Sequence, residues 1–553
     1  NSEFEYFLGP EVPGEIQGGT SLRDSSGALK RQGARFRIYG FNARGQVVRE
    51  ITSSQAEIEW SVHPANRKAA WYKFEEALDI PNPRIPTLRN ATLQGADRNR
   101  LVIDPGARTI TGRNQSGVYF DSGTFLGESI NLGELRTDSS GRLIVLGGFG
   151  EVRNLSGKDR ATHFANNDGW CDDISDGPVT ATVHIGTEVF EADPAWVVTA
   201  PPNYTPGISA SIVTMYDVIE QAHFSQGWIE DEVVSFTDHI YPILERFTQL
   251  EWVNAGILRD FGWGSSMYLL SSRTLRYLSR KAVRFSDARN TLFSLFRDPN
   301  CNDVEPDKLP PMYGDQIRFP AQSPKQWLSL TPLQYQRLSR WAAGDFQQDW
   351  SPAFHLKRNL LRYPIQYQPL QEQPDLLTRA ALEPVLGGAF HPGYELSWNM
   401  RFGHAYMDLF RLRHREPHEL KHPLPSQLTP EFALNPEGPL SRLQPGDLTK
   451  WMALPWQVDA AMCRYSYDTD DDPYLDTFWP ARVPNHVLTS EDYQTVMNRE
   501  LPLEVRQEAF QRRSPWFRNL DLHAQGSNPM NQMLQEWHRM LLISEKPGLP
   551  FDR

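Results

Sequence analysis

Leu454-Pro455-Trp456-Gln457-Val458-Asp459-Ala460-Ala461-Met462-Cys463 reads as the opening of a helix. Pro455 suits the first turn, where its missing N–H removes no hydrogen bond, and no Gly or Pro follows before Cys463. Asp459 and Cys463 stand four residues apart, so a helix puts a carboxylate and a thiol on one face, about a turn from each other. Taken alone, the same pattern is what a small buried Cys beside a capping or solvated Asp produces. Downstream lie an acidic stretch, Asp468-Thr469-Asp470-Asp471-Asp472-Pro473, and then Phe478-Trp479-Pro480-Ala481-Arg482-Val483-Pro484. The acidic stretch lacks the Gly and the distal Glu of a calcium loop, and reads as a solvated turn that returns Trp479 toward Cys463.

Outward from this run, the N-terminal part of the chain has strand character. From Ala34 to Val198, short apolar or alternating runs such as Arg35-Phe36-Arg37-Ile38-Tyr39, Ala56 to Val62, Leu101-Val102-Ile103, Gly117 to Phe120, Leu143 to Gly148 and Val179 to Ile185 are punctuated by Gly, Asn and Asp. After the hinge Ala200-Pro201-Pro202-Asn203-Tyr204-Thr205-Pro206-Gly207, apolar residues recur at three- and four-residue spacing over Ile208 to Phe224, Pro242 to Asn254, Ser266 to Phe285 and Pro332 to Ala343. The stretches Glu491 to Arg513 and Met530 to Ile543 predict a closing pair of helices. The expected class is therefore α+β: a β-rich domain of sandwich-like or layered antiparallel sheets over 1–200, then a mainly helical domain over 201–553.

The chain has 553 residues, enough for a large core shared by more than one unit. Its formal net charge of −12 excludes a general affinity for nucleic acid or an anionic membrane, both of which need a basic face. No run approaches the ~20 apolar residues of a membrane span, and the mean hydropathy is −0.52. Asn1-Ser2-Glu3-Phe4-Glu5-Tyr6 lacks the basic-then-apolar order of a signal peptide, which leaves cytoplasm and export both open. The 16 Trp and 11% aromatic content favour ring-walled cavities, although core packing alone uses such a load as well. Cys171, Cys301 and Cys463 are too few and too scattered for a disulfide framework or a zinc site, and Cys171 and Cys301 are expected reduced. No metal site is expected. The carboxylates of Asn167-Asp168-Gly169-Trp170-Cys171-Asp172-Asp173-Ile174-Ser175-Asp176 do not follow calcium-loop spacing and read as structural.

Pro455, Trp456, Gln457, Asp459 and Cys463 match the Pro-Trp-Gln-x-Asp-x-x-x-Cys helix of the cysteine tryptophylquinone oxidases, the family of L-lysine ε-oxidase and glycine oxidase, which this chain resembles. Trp479, Pro480 and Pro484 match its Trp-Trp-Pro-x-Gln-Arg-Pro segment, with Phe478 in place of the first Trp and Arg482-Val483 in place of Gln-Arg. His391-Pro392-Gly393-Tyr394-Glu395 resembles its His-Pro-Gly-x-Glu segment. Asp168 to Val179 resembles its Asp-Gly-Trp-x-Asp-Asp-x-Ser-Asp-Gly-Pro-Val signature. Pro202 to Gly207 and Arg340 to Phe346 agree as well. The matches run from about residue 160 to 485.

The resemblance implies a cofactor, cysteine tryptophylquinone, built from Cys463 and Trp479. It implies an oxidase that uses O2 to attack a primary amine of an amino acid, releasing hydrogen peroxide and ammonia. It also implies Asp459 as the base, with a pKa raised by burial, and a flavoprotein partner that matures the cofactor. Glycine-oxidising relatives carry a His at the position of His391, which favours a small α-amino acid as substrate while keeping the lysine ε-amine open; Tyr204 follows as an aromatic wall of the substrate channel. A homo-oligomer is compatible. The residues leave other readings in place: Trp516 in Ser514-Pro515-Trp516-Phe517 as the modified indole; a non-catalytic binding member with unmodified Trp479, suggested by Phe478 and Arg482-Val483; and a thiol hydrolase pairing Cys463 with His391 or His486.

Overall fold

The computed structural model describes residues 1–15, 21–205, 211–231, 233–316, 318, 320–351, 363–389, 397–415, 423–465, 472–474, 484–516, 529–543 and 546. Its N-terminal half is built on strands β1 (Tyr6–Leu8), β2 (Arg31–Phe36), β3 (Glu57–Val62), β4 (Arg108–Thr111), β5 (Val118–Tyr119), β6 (Gly133–Thr137), β7 (Leu143–Gly147), β8 (Ser175–Ile185), β9 (Glu188–Glu191) and β10 (Ala195–Thr199). One sheet runs β1-β2-β7-β6-β5, and a second runs β9-β8-β3-β4 with β10 also on β8. Only the β1–β2 pair among these is parallel. Alternation along β8 points Val179, Ala181 and Val183 inward, where they meet Trp60, Val62 and Ile110 of the same sheet and Leu135, Leu143 and Val145 of the other. That shared apolar layer is what makes the two sheets a sandwich.

The C-terminal half is mainly helical: α1 (Met215–Ser225), α2 (Tyr241–Gln249), α3 (Ala255–Phe261), α4 (Pro332–Ala343), α5 (Trp456–Tyr465), α6 (Ser490–Met497), α7 (Leu503–Gln511) and α8 (Pro529–Glu536), with shorter helices between. Thr331 shows why α4 begins where it does: its hydroxyl accepts the Gln334 N–H, Gln334 returns a carbonyl to the Thr331 N–H, and Gly344 at φ 88° closes the helix in the left-handed region. Three expected elements differ. The stretch Glu491 to Arg513, read as one helix of a closing pair, is two, α6 and α7, parted ahead of Pro502. The helix read from Ser266 onward starts only at Ser272, because Ser271 caps it by accepting from the Thr274 N–H. Leu101 ends a 3-10 helix, Gly95–Leu101, instead of beginning a strand. The Arg98 guanidinium draws that coil inward by donating to the carbonyls of Asn90, Leu93, Ala70 and Arg89.

Helix α5 lies at the seam of the two halves. Leu454 before it and Val458 on it join the core under the sheets, while Trp456, Ala460 and Ala461 join the core of the helical half. Helix α8 packs along it.

Candidate active site

The N-terminus of α5 is fastened to the β-rich half residue by residue. Pro455 sits one position ahead of the first helical residue, joined to Leu454 by a cis peptide bond. Leu454 donates its N–H to the Ala165 carbonyl at 2.9 Å, and its own carbonyl accepts from Asn167 Nδ2 at 2.9 Å. The buried Arg89 guanidinium joins the Ala165 and Met452 carbonyls at 3.1 and 3.2 Å. The first helical N–H, that of Trp456, donates to Asp172 Oδ2 at 3.2 Å, so a carboxylate stands at the positive end of the helix dipole. The same oxygen takes Lys68 Nζ at 2.5 Å, both side chains being fully buried. Burial pulls the Lys68 pKa down against the attraction of Asp172. Asp172 Oδ1 accepts from Asn66 Nδ2 at 3.1 Å and from the Ile174 N–H at 3.3 Å.

The neighbouring carboxylates have the structural role their spacing suggested. Asp173 accepts the N–H groups of Gly150 and Glu151 at 2.7 and 2.9 Å, and burial pushes its pKa up to about 7. Asp176 accepts the Thr449 N–H and hydroxyl at 2.7 and 2.6 Å, the Leu448 N–H at 3.1 Å and Trp196 Nε1 at 2.9 Å; burial still pushes it up to about 6. All three thus hold the segments that flank α5. Among the described residues no group of three or more His, Cys, Asp or Glu side chains is placed to hold a metal ion.

On α5 itself, Asp459 is 1% exposed. Gln457 reaches the Gly150 carbonyl at 3.4 Å, and the Trp456 ring meets Trp537 edge-on at 5.6 Å. The Tyr204 hydroxyl donates to the Trp537 carbonyl at 2.9 Å, and its ring meets that of Trp516 at 5.5 Å. The Trp516 indole N–H donates to the Leu541 carbonyl at 2.9 Å. Tyr204, Trp516, Trp456 and Trp537 therefore belong to one aromatic core cluster beside α5. His163, which sequence reasoning passed over, has its pKa lowered first by burial, with Arg89 and Lys73 adding and the charge of Asp459 opposing. Its Nδ1 accepts the N–H groups of Ala165 and Asn166 at 3.0 and 3.1 Å, which leaves the ring proton to Nε2. Cys463 lies one turn beyond Asp459 along α5; its side chain, Trp479 and His391 fall outside the described residues. Cys171 and Cys301 are free thiols, and burial pushes the Cys171 pKa up.

Two family profiles match the chain: L-Lysine epsilon oxidase N-terminal over residues 1–199 and L-lysine epsilon oxidase C-terminal domain over residues 311–479. Together they take in more than half of it. A curated L-lysine 6-oxidase from Marinomonas mediterranea is 26% identical, with 96% of this chain and 82% of that protein covered. The chain belongs to the L-lysine epsilon-oxidase family. Solved structures of L-Lys epsilon-oxidase from the same organism share the fold of this family member. The Schiff base intermediate with L-Lys superposes with a TM-score of 0.70 at 21% identity, covering 98% of this chain and 90% of that one. A second structure of the enzyme gives 0.69 at 21% identity with the same coverage. The C-terminal profile of the L-lysine epsilon-oxidase family takes in Asp459 and Cys463 and ends at Trp479. No described helix is long and apolar enough to cross a membrane.

Proposed function

We propose that this chain is an amine oxidase that carries a cysteine tryptophylquinone made from Cys463 and Trp479 and oxidises a primary amine of an amino acid. The observation that carries the reading is a buried carboxylate, Asp459, one turn before Cys463 on a helix whose start is tied down by Asp172, Lys68 and Asn167. The position suits such a group: a cysteine on a helix whose start is fixed, with a buried acid one turn before it. Forming the cofactor removes the thiol hydrogen and three ring hydrogens and adds two carbonyl oxygens to the indole. O2 is the oxidant, delivered by a maturation flavoprotein. Once formed, the quinone would supply an electrophilic carbonyl for the amine nitrogen and an acceptor for two electrons, with O2 as their final acceptor to give hydrogen peroxide.

The protein's own part is positional and acid–base. Asp459 takes the proton from the carbon next to nitrogen, and its buried setting excludes the water that would compete for that proton. In this reading Tyr204 and the rings packed with it supply the apolar surroundings of the substrate, and His391 is the residue that selects it. Water then releases ammonia and the carbonyl product. The relatives named for lysine favour the ε-amine of lysine as substrate, whereas His391 favours a small α-amino acid such as glycine. In this arrangement residues 1–200 act as the brace and residues 201–553 carry the site. Peroxide release is measured against glycine, other α-amino acids and lysine, beside the quinone spectrum. A chain with its quinone formed that releases no peroxide with any of these amines contradicts the proposal.

A further inference from the structure

The short helix Ser272–Leu278 buries Leu275 and Leu278, while Arg273, Arg276 and Tyr277, at i, i+3 and i+4, share its outer face. The loop that follows adds Arg280, Lys281 and Arg284. Residues 273–284 therefore carry five cations and no Asp or Glu, on a chain whose formal net charge is −12. All five are exposed, and among the described residues none of their heads meets a carboxylate or another hydrogen-bond acceptor. Rings lie between them: Phe285 stacks on Tyr277 at 5.3 Å, the Arg273 guanidinium is 5.9 Å from the Tyr277 centroid, and that of Arg284 is 4.8 Å from Phe285. Val283, at 85% exposure, stands out from the same loop. The face is held from beneath. Trp341 Nε1 on α4 donates to the Leu278 carbonyl at 2.9 Å, the buried Arg289 guanidinium donates to the carbonyls of Trp341 and Arg280, and the Lys281 N–H donates to Gln348 Oε1 at 3.0 Å.

A cavity of about 460 Å³ adjoins this face, lined by Trp263, Ser265, Tyr268, Arg273 and Tyr277 among others. Arg273 and Tyr277 belong to both, so the cavity and the cations form one surface. The Ser265 hydroxyl in its wall has no hydrogen-bond partner. A volume of this size takes a small molecule or one bulky side chain. Charges more than about 8 Å apart are screened at physiological salt, so the five cations act on what touches them. A duplex or a bilayer spreads its anions well beyond the patch and meets the acidic remainder of the chain. A short acidic segment meets the cations alone, and an aromatic side chain within it fills the cavity, the arrangement of a buried anchor inside a polar rim. We infer that this face docks an acidic segment of a partner protein, with an aromatic anchor seated among Trp263, Tyr268 and Tyr277.

The probe is a fluorescein-labelled peptide rich in Glu and Asp with one central Trp, titrated with the full chain and read by anisotropy. Wild type is expected to bind it saturably and to lose affinity as salt is raised. Arg276→Glu combined with Arg280→Glu is expected to weaken binding by about tenfold or more and to flatten the salt dependence. The thermal midpoint is expected to stay at the wild-type value, because neither side chain has an ion pair to lose. Exchanging the peptide's Trp for Gly is expected to weaken binding roughly tenfold to thirtyfold, and Tyr277→Ala to act in the same direction. No saturable binding, or binding that the charge-reversed chain keeps, overturns the proposal. Tighter binding to phosphatidylserine vesicles or to a DNA duplex than to the peptide overturns it in favour of those polyanions. Self-association of wild type that the charge-reversed chain loses overturns it in favour of a second copy.

Discussion

Replacing Lys68 by Met leaves Asp172 as a buried carboxylate without its cation. Lys68 and Asp172 are both 0% exposed as side chains and meet at 2.5 Å, so solvent offers no replacement. Removing one partner of such a pair costs roughly 3–5 kcal/mol, much of it from the stranded charge. Three donors remain near Asp172: the Trp456 N–H at 3.2 Å, Asn66 Nδ2 at 3.1 Å and the Ile174 N–H at 3.3 Å. Because they meet part of the anion's need, the lower end, about 3 kcal/mol, is the expected cost. Adding Asp172→Asn to Lys68→Met removes the stranded charge and keeps a carbonyl acceptor for Trp456, so the double variant is expected to be more stable than Lys68→Met alone. A chain of this size need not unfold in one step. The assay is therefore the ranking of thermal midpoints for wild type, single and double variants, joined to amide hydrogen exchange over Trp456–Tyr465. Exchange in that helix should rise in Lys68→Met and fall back in the double variant. A double variant whose loss is the sum of the two single losses would refute the claim that the buried charge anchors α5.

Asp173 has a folded-state pKa of about 7 against an ordinary carboxylate value of 3.8, so the folded chain holds the proton more tightly than the unfolded one. Its contribution to stability is present below about pH 4 and lost as pH rises toward 7; Asp173→Asn, which keeps an oxygen for the Gly150 and Glu151 N–H groups, should flatten that fall in a pH series of thermal midpoints. Asp459→Asn should abolish proton abstraction, lowering kcat by at least the 10²–10⁴-fold typical of a positioned base, while intact mass still reports the crosslink; wild-type turnover in this variant removes Asp459 from the role. Trp516→Phe should form quinone normally and lose stability of about 1–3 kcal/mol, since the Leu541 carbonyl is left buried without its indole donor. Loss of the quinone band in a folded Trp516→Phe chain would move the cofactor to that indole.

Elements with local signals were legible. The helix Pro332–Ala343, the alternation of β8 and the apolar run of β7 are set by neighbours in sequence. Asp172, Asp173 and Asp176 depart from calcium-loop spacing, and each carboxylate accepts backbone N–H groups. What stayed hidden depends on partners far along the chain. Lys68 is an unremarked lysine between Arg67 and Ala69 until the fold brings Asp172 to it. Asn254 and Asn485 are ordinary loop residues until the carbonyls of Pro473 and Tyr474 arrive between them. Tyr204 was legible as an aromatic after a Pro-rich hinge, but its hydrogen bond to the Trp537 carbonyl comes from a helix more than three hundred residues away. On α5 the local signal was the four-residue spacing of Asp459 and Cys463.

The central claim, that Cys463 and Trp479 form the cofactor, is tested most directly by mapping crosslinked peptides of the matured chain with tandem mass spectrometry. The account predicts one linked species joining the peptide with Cys463 to the peptide with Trp479, heavier by two oxygens and lighter by four hydrogens than the unmodified pair. Unmodified Cys463 and Trp479 peptides, or a linkage to Trp516, would contradict it.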